Sequence, residues 1–488
     1  MNINKRSGTF PGLGSKCSMV GKSGLFWLGF AAFGWLVFYQ TAMEKSKGGD
    51  YNNVATKLAE AGYAETGALS GSQFAGTPFR TFSGRVLFQK DGWEKRIARR
   101  SLDWDTIVKK YYKKNQNIAP EITKKCSRWA VVTTIFEPNE AISGVASLDG
   151  WCMVIVGDNK TPNDYLERGK ELADNDSVFF FSVQEQRQWL KLPGELGAFA
   201  RATPFNHFAR KNLGFLYAII RGAQFIYDFD DDNFINKDSN GKLLPLISNE
   251  IQVENVRFLS LETKVLNHHP IMGATVPGSW PRGFPLESIQ DTKTHGTVIS
   301  SGNAVPMEKV GVLQFCADNN PDIDAVHRLV LPLPMNYAPE SKSSPILVPS
   351  SALVPYNAQA TIHTYRALFA VLLPITVKGR VTDIWRSYFS ECLFRTLGLG
   401  VIFLPPRITQ YRNAHSYIAD MKAEGDLYFK SERLSEFLSK WDNKSTAIPA
   451  RMEALWIDLY ERGYIEEDDV KLMQLWLGAL VQIGYQFK

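Results

Sequence analysis

Four short apolar runs, each leading into polar or acidic residues, restrict the fold of this 488-residue chain more than anything else in it. They are Ala130–Ile135, Trp151–Val156, Ser177–Val183 and Phe225–Tyr227. Each is too short for a helix and apolar on both faces, as buried parallel strands are. Between Asn206 and Arg221 the period changes. Leu213, Leu216, Tyr217 and Ile220 fall at i, i+3, i+4 and i+7, one face of a helix. Strands alternating with helices predict an open α/β sheet with flanking helices, whose ligands bind beyond the carboxyl ends of the strands. Further on, residues 296–348 read as loop-dominated apart from Val310–Phe315. Residues 361–404 read as helical with interruptions, ending in the strand-like Gly400–Leu404, and 417–488 as a helical C-terminal region.

The fourth run leads directly into Asp228, Asp230, Asp231 and Asp232, four carboxylates in five positions. Like charges this close raise one another's pKa unless a cation sits among them. Alternate residues of a strand point the same way, so Asp230 and Asp232 can converge, as can Asp228 and Asp230. Oxygen ligands of this kind suit Mn²⁺ or Mg²⁺ bridging a diphosphate. An acidic surface turn is the competing reading. A second acidic run, Asp318, Asp322 and Asp324, lacks the glycine and distal glutamate of a calcium loop. It is a candidate for sugar or acceptor contact, or an Asn-Pro turn.

Several classes are excluded. With 12% aromatic and 22% charged residues the chain can bury a core, so it is not disordered. A mean hydropathy of −0.18 rules out a multi-span membrane protein. The net charge of +5 is localised. Residues 1–22 carry Lys5, Arg6, Lys16 and Lys22 and no acid, and 90–125 carry eleven basic against five acidic residues, so a nucleic-acid-binding body is not expected. Five cysteines without C-x-x-C spacing exclude a zinc ribbon.

One uncharged stretch, residues 23–43, is 21 residues long, about 30 Å as a helix and enough to cross a bilayer. Positive charge upstream predicts a cytoplasmic tail (1–22), a single transmembrane signal anchor (23–43) and a luminal body. Residues 44–125 read as a stem and basic lead-in, 126–416 as the catalytic domain and 417–488 as the helical C-terminal region. A luminal body sits in an oxidising compartment, where its four cysteines allow at most two bridges. The sequons at Asn175 and Asn443 fit that compartment.

The blocks Arg128–Ile135, Val154–Asp158, Leu196-Gly197 and Arg210–Asn212, with Tyr227–Asp232, resemble the STELLO family. So do Pro355–Thr361, Gly379–Trp385 and Tyr411–His415. More distantly, Arg282–Pro285 and Thr382–Trp385 resemble the reversibly glycosylated polypeptides, which are UDP-arabinopyranose mutases. The resemblance implies a Golgi type II membrane glycosyltransferase with a GT-A-like, nucleotide-sugar-binding mixed sheet. It implies a nucleotide-diphosphate sugar, UDP-linked, as donor and a glycan or glycoconjugate as acceptor. A membrane polysaccharide synthase is a candidate partner. A nucleotide-sugar mutase and a non-catalytic assembly factor are the alternatives.

The resemblance also implies roles. Thr134 and Asp158 would hold the nucleoside, although Asp158 also suits an Asx-turn. Arg210 and Asn212 would meet phosphate or ribose, or be solvated; Arg282 would join the donor site. Asp383 would be the general base of an inverting transferase, or a helix N-cap. His415 would be a third metal ligand beside Asp230 and Asp232, or an ordinary histidine.

Overall fold

The computed structural model describes residues 79–80, 86–87, 102–104, 106–109, 126–413 and 416–488. The expected tail and anchor, most of the stem, and His415 lie outside the described residues. Among the described residues no helix is long and apolar enough to cross a membrane.

Nearly all the strands join one mixed sheet. In chain order its strands are β1 (Arg128–Thr134), β2 (Trp151–Gly157), β3 (Val178–Phe181), β4 (Phe225–Phe229), β5 (Asn233–Ile235), β6 (Gln252–Ser260), β7 (Thr297–Pro306), β8 (Val310–Asn319), β9 (Ile346–Leu347), β10 (Ala360–Thr364) and β11 (Gly400–Gln410). The spatial order is β3-β2-β1-β4-β10-β8-β11-β9-β6-β7, with β5 paired to β11. Strands β1 to β4 are mutually parallel where they pair, and β10 runs antiparallel to both β4 and β8. The chain leaves β1 toward β2 on one side and returns as β4 on the other. That reversal opens a crevice at the carboxyl ends of β1 and β4.

Alternation along β1 divides the core. Trp129 and Val131 belong to one apolar cluster, Ala130 and Val132 to the other. The second cluster lies under α1 (Glu140–Ala146), with Ile142 and Val145 turned inward. The first holds α2 (Gly194–Ala202), α3 (Lys211–Ile220), α4 (Gly379–Leu397) and the C-terminal helices α5 (Gly425–Lys440), α6 (Ile448–Glu461) and α7 (Glu467–Gln482). A Cβ on Gly214 would lie 2.5 Å from Val156 and 2.6 Å from Val131, so glycine there lets α3 approach the sheet. The C-terminal helices share this core with the sheet. Trp456 and Trp476 are buried in it, and Trp476 donates to the Phe369 carbonyl at 2.7 Å. Asp469 of α7 accepts from the Ile375 amide and the Thr376 hydroxyl. A disulfide joins Cys126 to Cys152, while Cys316 and Cys392 are buried and free.

Two stretches differ from the sequence reading. Thr297–Pro306 is a ten-residue strand within the region read as loop. It is exposed along nearly its whole length and holds Ser300, Ser301, Gly302 and Asn303, so it lacks the apolar alternation that marks a half-buried strand. Ala360–Thr364 is a strand at the start of a region read as helical. It has only five residues, and the helical signal belongs to the segment that follows.

Candidate active site

The register of β1 and β4 places Val131 opposite Asp228, which brings Thr134 level with the acidic segment. Thr134 also pairs with Gly157 of β2, so Asp158 emerges beside it. These strand ends open on a cleft of about 380 Å³. Thr134, Asp158, Asp230, Asp231 and Asp232 line one side; Arg380, Gln410 and Arg412 also line it.

The four carboxylates have different environments. Asp228 is fully buried, with Lys211 Nζ at 2.6 Å and Arg386 Nη1 at 2.7 Å. Burial opposes its ionisation, but these two cations hold its carboxyl below the usual range. It is therefore structural, and the Asp228/Asp230 ligand pair is excluded. Asp230 keeps 35% of its side chain exposed and meets the same ammonium at 3.1 Å. Burial, with Asp232, Asp228 and Asp383 nearby, pushes it up to about 7 against the pull of Lys211. Asp231 accepts from the Thr134 hydroxyl. Asp232 Oδ2 accepts from Gln410 Nε2 at 3.1 Å, and its Oδ1 is buried without a partner. Burial raises the Asp231 and Asp232 carboxyls as well. The segment is pinned by its backbone. Asn139 donates to the Asp231 carbonyl at 2.8 Å, and Asn233 Oδ1 accepts from the Asp230 amide at 3.2 Å.

The other expected site residues divide. Thr134 lines the cleft, but its hydroxyl is bound to Asp231. Asp158 lines it too and spends its carboxylate on backbone amides. Oδ1 accepts from Asn159 at 2.7 Å and Asn206 at 2.8 Å, Oδ2 from His207 at 3.3 Å. It anchors the loop ahead of α3. Arg210 and Asn212 do not face the cleft. Arg210 donates to Gln186 at 2.6 Å and to the Thr203 carbonyl, with Phe205 under its guanidinium. Asn212 exchanges two 2.9 Å hydrogen bonds with the Leu373 backbone. Both are buried, and their polar groups tie α3 to neighbouring segments.

Arg282 and Asp383 are brought together, but as a buried ion pair. Arg282 Nη2 donates to Asp383 Oδ2 at 2.8 Å and Nη1 to Oδ1 at 3.1 Å, while Nε and Nη2 hold Asp322. Asp383 also accepts from the Ala358 amide. Both carboxylate oxygens are taken up by the guanidinium and Asp383 is not among the cleft-lining residues, so the geometry favours an ion-pair partner over a general base. Nor is Asp383 an N-cap: it lies inside α4, whose N-cap is Lys378. Asp322, from the second acidic run, is the other partner of Arg282. Asp318 accepts from the Tyr337 amide, and Asp324 caps the helix Ala325–Val330.

The sequence reading missed Lys211, which also donates to the Phe229 carbonyl at 2.7 Å. The available signal was a lysine in the first turn of an otherwise apolar helix. It missed Arg386 as well, one turn beyond Asp383 on α4.

Among the described residues no three His, Cys, Asp or Glu side chains are gathered as a metal cage. Two carboxylates are nevertheless the number that Mg²⁺-like ions use when substrate phosphates complete the shell. Asp230 and Asp232 fit that requirement: one is partly exposed to the cleft and the other has an unmatched oxygen.

Residues 380–488 match the family model described as STELLO glycosyltransferases. The chain is 26% identical over 402 residues to probable glycosyltransferase STELLO2 of Arabidopsis thaliana, covering 80% of this chain and 49% of that protein. It is 25% identical over 406 residues to probable glycosyltransferase STELLO1 of the same plant, covering 80% and 48%. The chain thus spans about half the length of the curated relatives it matches. Among solved structures it is similar to a mannosyltransferase from Pyrobaculum calidifontis in complex with GDP-mannose and Mn²⁺. That likeness has 11% identity and a TM-score of 0.32, covers 81% of this chain and 86% of the other, and is too slight to carry any inference. Over the stretch it shares with the two plant proteins the chain is similar to STELLO-type glycosyltransferases, and the match to the family's model lies at residues 380–488.

Proposed function

We propose that the chain is a divalent-metal-dependent glycosyltransferase of GT-A type. It transfers sugar from a nucleotide-diphosphate sugar, UDP-linked in our reading, to a glycan or glycoconjugate acceptor. The observation that carries this is the position of Asp230, Asp231 and Asp232. Three adjacent carboxylates line a cleft at the carboxyl end of β4, where the strand order reverses and ligands of open α/β sheets bind.

Asp230 and Asp232 would hold Mn²⁺ or Mg²⁺, which when bound supplies Lewis-acid neutralisation of a leaving diphosphate. Lys211 orients Asp230 from beneath. Asp231 and Thr134 brace each other across β4 and β1, fixing the floor of the site. Arg380 and Arg412 place positive charge at the cleft wall, suited to the anionic donor. Arg282 and Asp383 are positioning residues that join α4 to the Ala358 backbone beside Lys211.

The body is placed in the Golgi lumen in this reading, anchored by residues 23–43. The Cys126–Cys152 bridge supports an oxidising compartment. The test is incubation of the purified full chain with a panel of nucleotide sugars and Mn²⁺. Transfer or hydrolysis is expected. Isomerisation would identify a mutase, and no turnover with any donor would favour an assembly factor.

A further inference from the structure

Beside the cleft the surface is unusually apolar. Residues 329–334 read Leu-Val-Leu-Pro-Leu-Pro, six positions without a polar side chain. Leu331 and Leu333 pack inward against the core. Leu329 is 48% and Val330 64% exposed, and Pro332 and Pro334 are exposed as well. The helix Ala325–Val330, which leads into this run, packs against the helix Tyr417–Ala423. There Ile418, 62% exposed, and Met421 stand three positions apart on one outer face. The two helices back the cleft wall, because Arg412 of the cleft reaches Asp420 of the second helix at 3.6 Å. Single exposed aliphatic residues are ordinary, but here Leu329, Val330, Pro332 and Pro334 are exposed within six positions that carry no polar side chain, beside Ile418 and Met421 on the neighbouring helix.

We propose that this ridge is a lipid-contact surface. The outward groups of Leu329, Val330, Pro332, Pro334, Ile418 and Met421 seat in the interfacial layer of a bilayer and turn the cleft toward it. Three features favour lipid over a protein partner. The run has few free backbone donors. Two of its residues are prolines without an N–H, the Leu331 amide is bonded to the His327 carbonyl, and Leu329 and Val330 end a helix. A segment seated in the interfacial layer is helped by that economy in donors, while its carbonyls can stay in contact with interfacial water. The ridge has none of the aromatic or arginine anchors that dominate protein interfaces. Lys422, exposed beside Met421, can keep its ammonium at the headgroup level. The availability of a bilayer rests on the reading of residues 23–43 as an anchor.

The full chain, in a Cys17→Ser background, is reconstituted into phosphatidylcholine vesicles. An environment-sensitive fluorophore is placed through Val330→Cys, Ile418→Cys or Ile251→Cys; Ile251 is 79% exposed and outside the ridge. Nitroxide-labelled lipid is expected to quench the probes at 330 and 418 and to spare the one at 251. Quenching equal at all three positions, or absent at 330 and 418, overturns the proposal. So does shielding of those two probes from aqueous iodide in lipid-free samples at high protein concentration, which would mark a protein interface. Resistance of the chain to carbonate extraction reads the anchor separately, and turnover of nucleotide sugar reads the enzyme separately.

Discussion

Lys211 and Asp228 form an ion pair at 2.6 Å that is wholly buried beneath the cleft, and the same ammonium lies 3.1 Å from Asp230. Arg386 completes the cluster. Removing one member of such a cluster leaves an uncompensated buried charge, at a cost of about 3–5 kcal/mol. Lys211→Met should therefore destabilise the fold by about that amount, and Asp228→Asn by a similar amount, in denaturant titrations. Asp232→Asn should be far milder, because its hydrogen-bond partner is the neutral Gln410 side chain and the nearby Arg412 keeps Asp420.

The raised carboxyl of Asp230 gives metal binding a pH dependence. A metal ligand must be ionised, so Mn²⁺ affinity should climb as pH rises and level off above about 7. Below that, affinity should fall about tenfold per pH unit. Stability without metal runs the other way. The folded pKa lies above the unfolded value of about 3.9, so between the two only the folded state keeps the proton. Stability should then decline from about pH 4 to about pH 7. Calorimetric Mn²⁺ titrations and thermal unfolding across that window check both trends. Asp230→Asn should abolish each.

The ion pair of Asp383 with Arg282 changes what its substitution should do. Loss of a general base lowers rate by about 10²–10⁴ at unchanged donor affinity. Asp383→Asn should instead lose about 1.5–3 kcal/mol of stability, the worth of hydrogen bonds to a charged group. Transfer should stay within about tenfold of the parent once the protein is kept folded. Unfolding curves and single-turnover rates separate the two outcomes.

Gly214→Ala tests how α3 is held against the sheet. Its Cβ would collide with Val131 and Val156, on the strands that carry Thr134 and Asp158 at their ends. Overpacking of this kind costs about 1–3 kcal/mol. Nucleotide affinity should fall together with stability, because Asp158 holds the Asn206-His207 backbone just ahead of α3.

The sheet's first half was legible because β1, β2 and β4 are buried on both faces, which leaves unbroken apolar runs. The edge strand Thr297–Pro306 was not, since solvent on both sides removes the pattern. The acidic segment announced itself through its density of like charge. Its internal division did not, because Asp228 becomes structural only when α3 and α4 bring Lys211 and Arg386 to it. Arg210 and Asn212 read as charged and polar groups free to meet a ligand. Their burial depends on Gln186 and Leu373, which no local spacing reveals. The Arg282–Asp383 pair spans 101 positions and joins two blocks that had been assigned separate roles.

In the proposed function Asp230 and Asp232 hold a divalent ion that grips a nucleotide diphosphate. Its most direct test is calorimetric titration of the full chain with UDP-sugars, with and without Mn²⁺, for the parent and the Asp230→Asn, Asp232→Asn double variant. Mn²⁺-dependent binding by the parent is expected, with its loss in a variant that unfolds at or above the parent's temperature. Nucleotide-sugar binding that needs no metal, or that survives unchanged in the double variant with Mn²⁺ present, would contradict it.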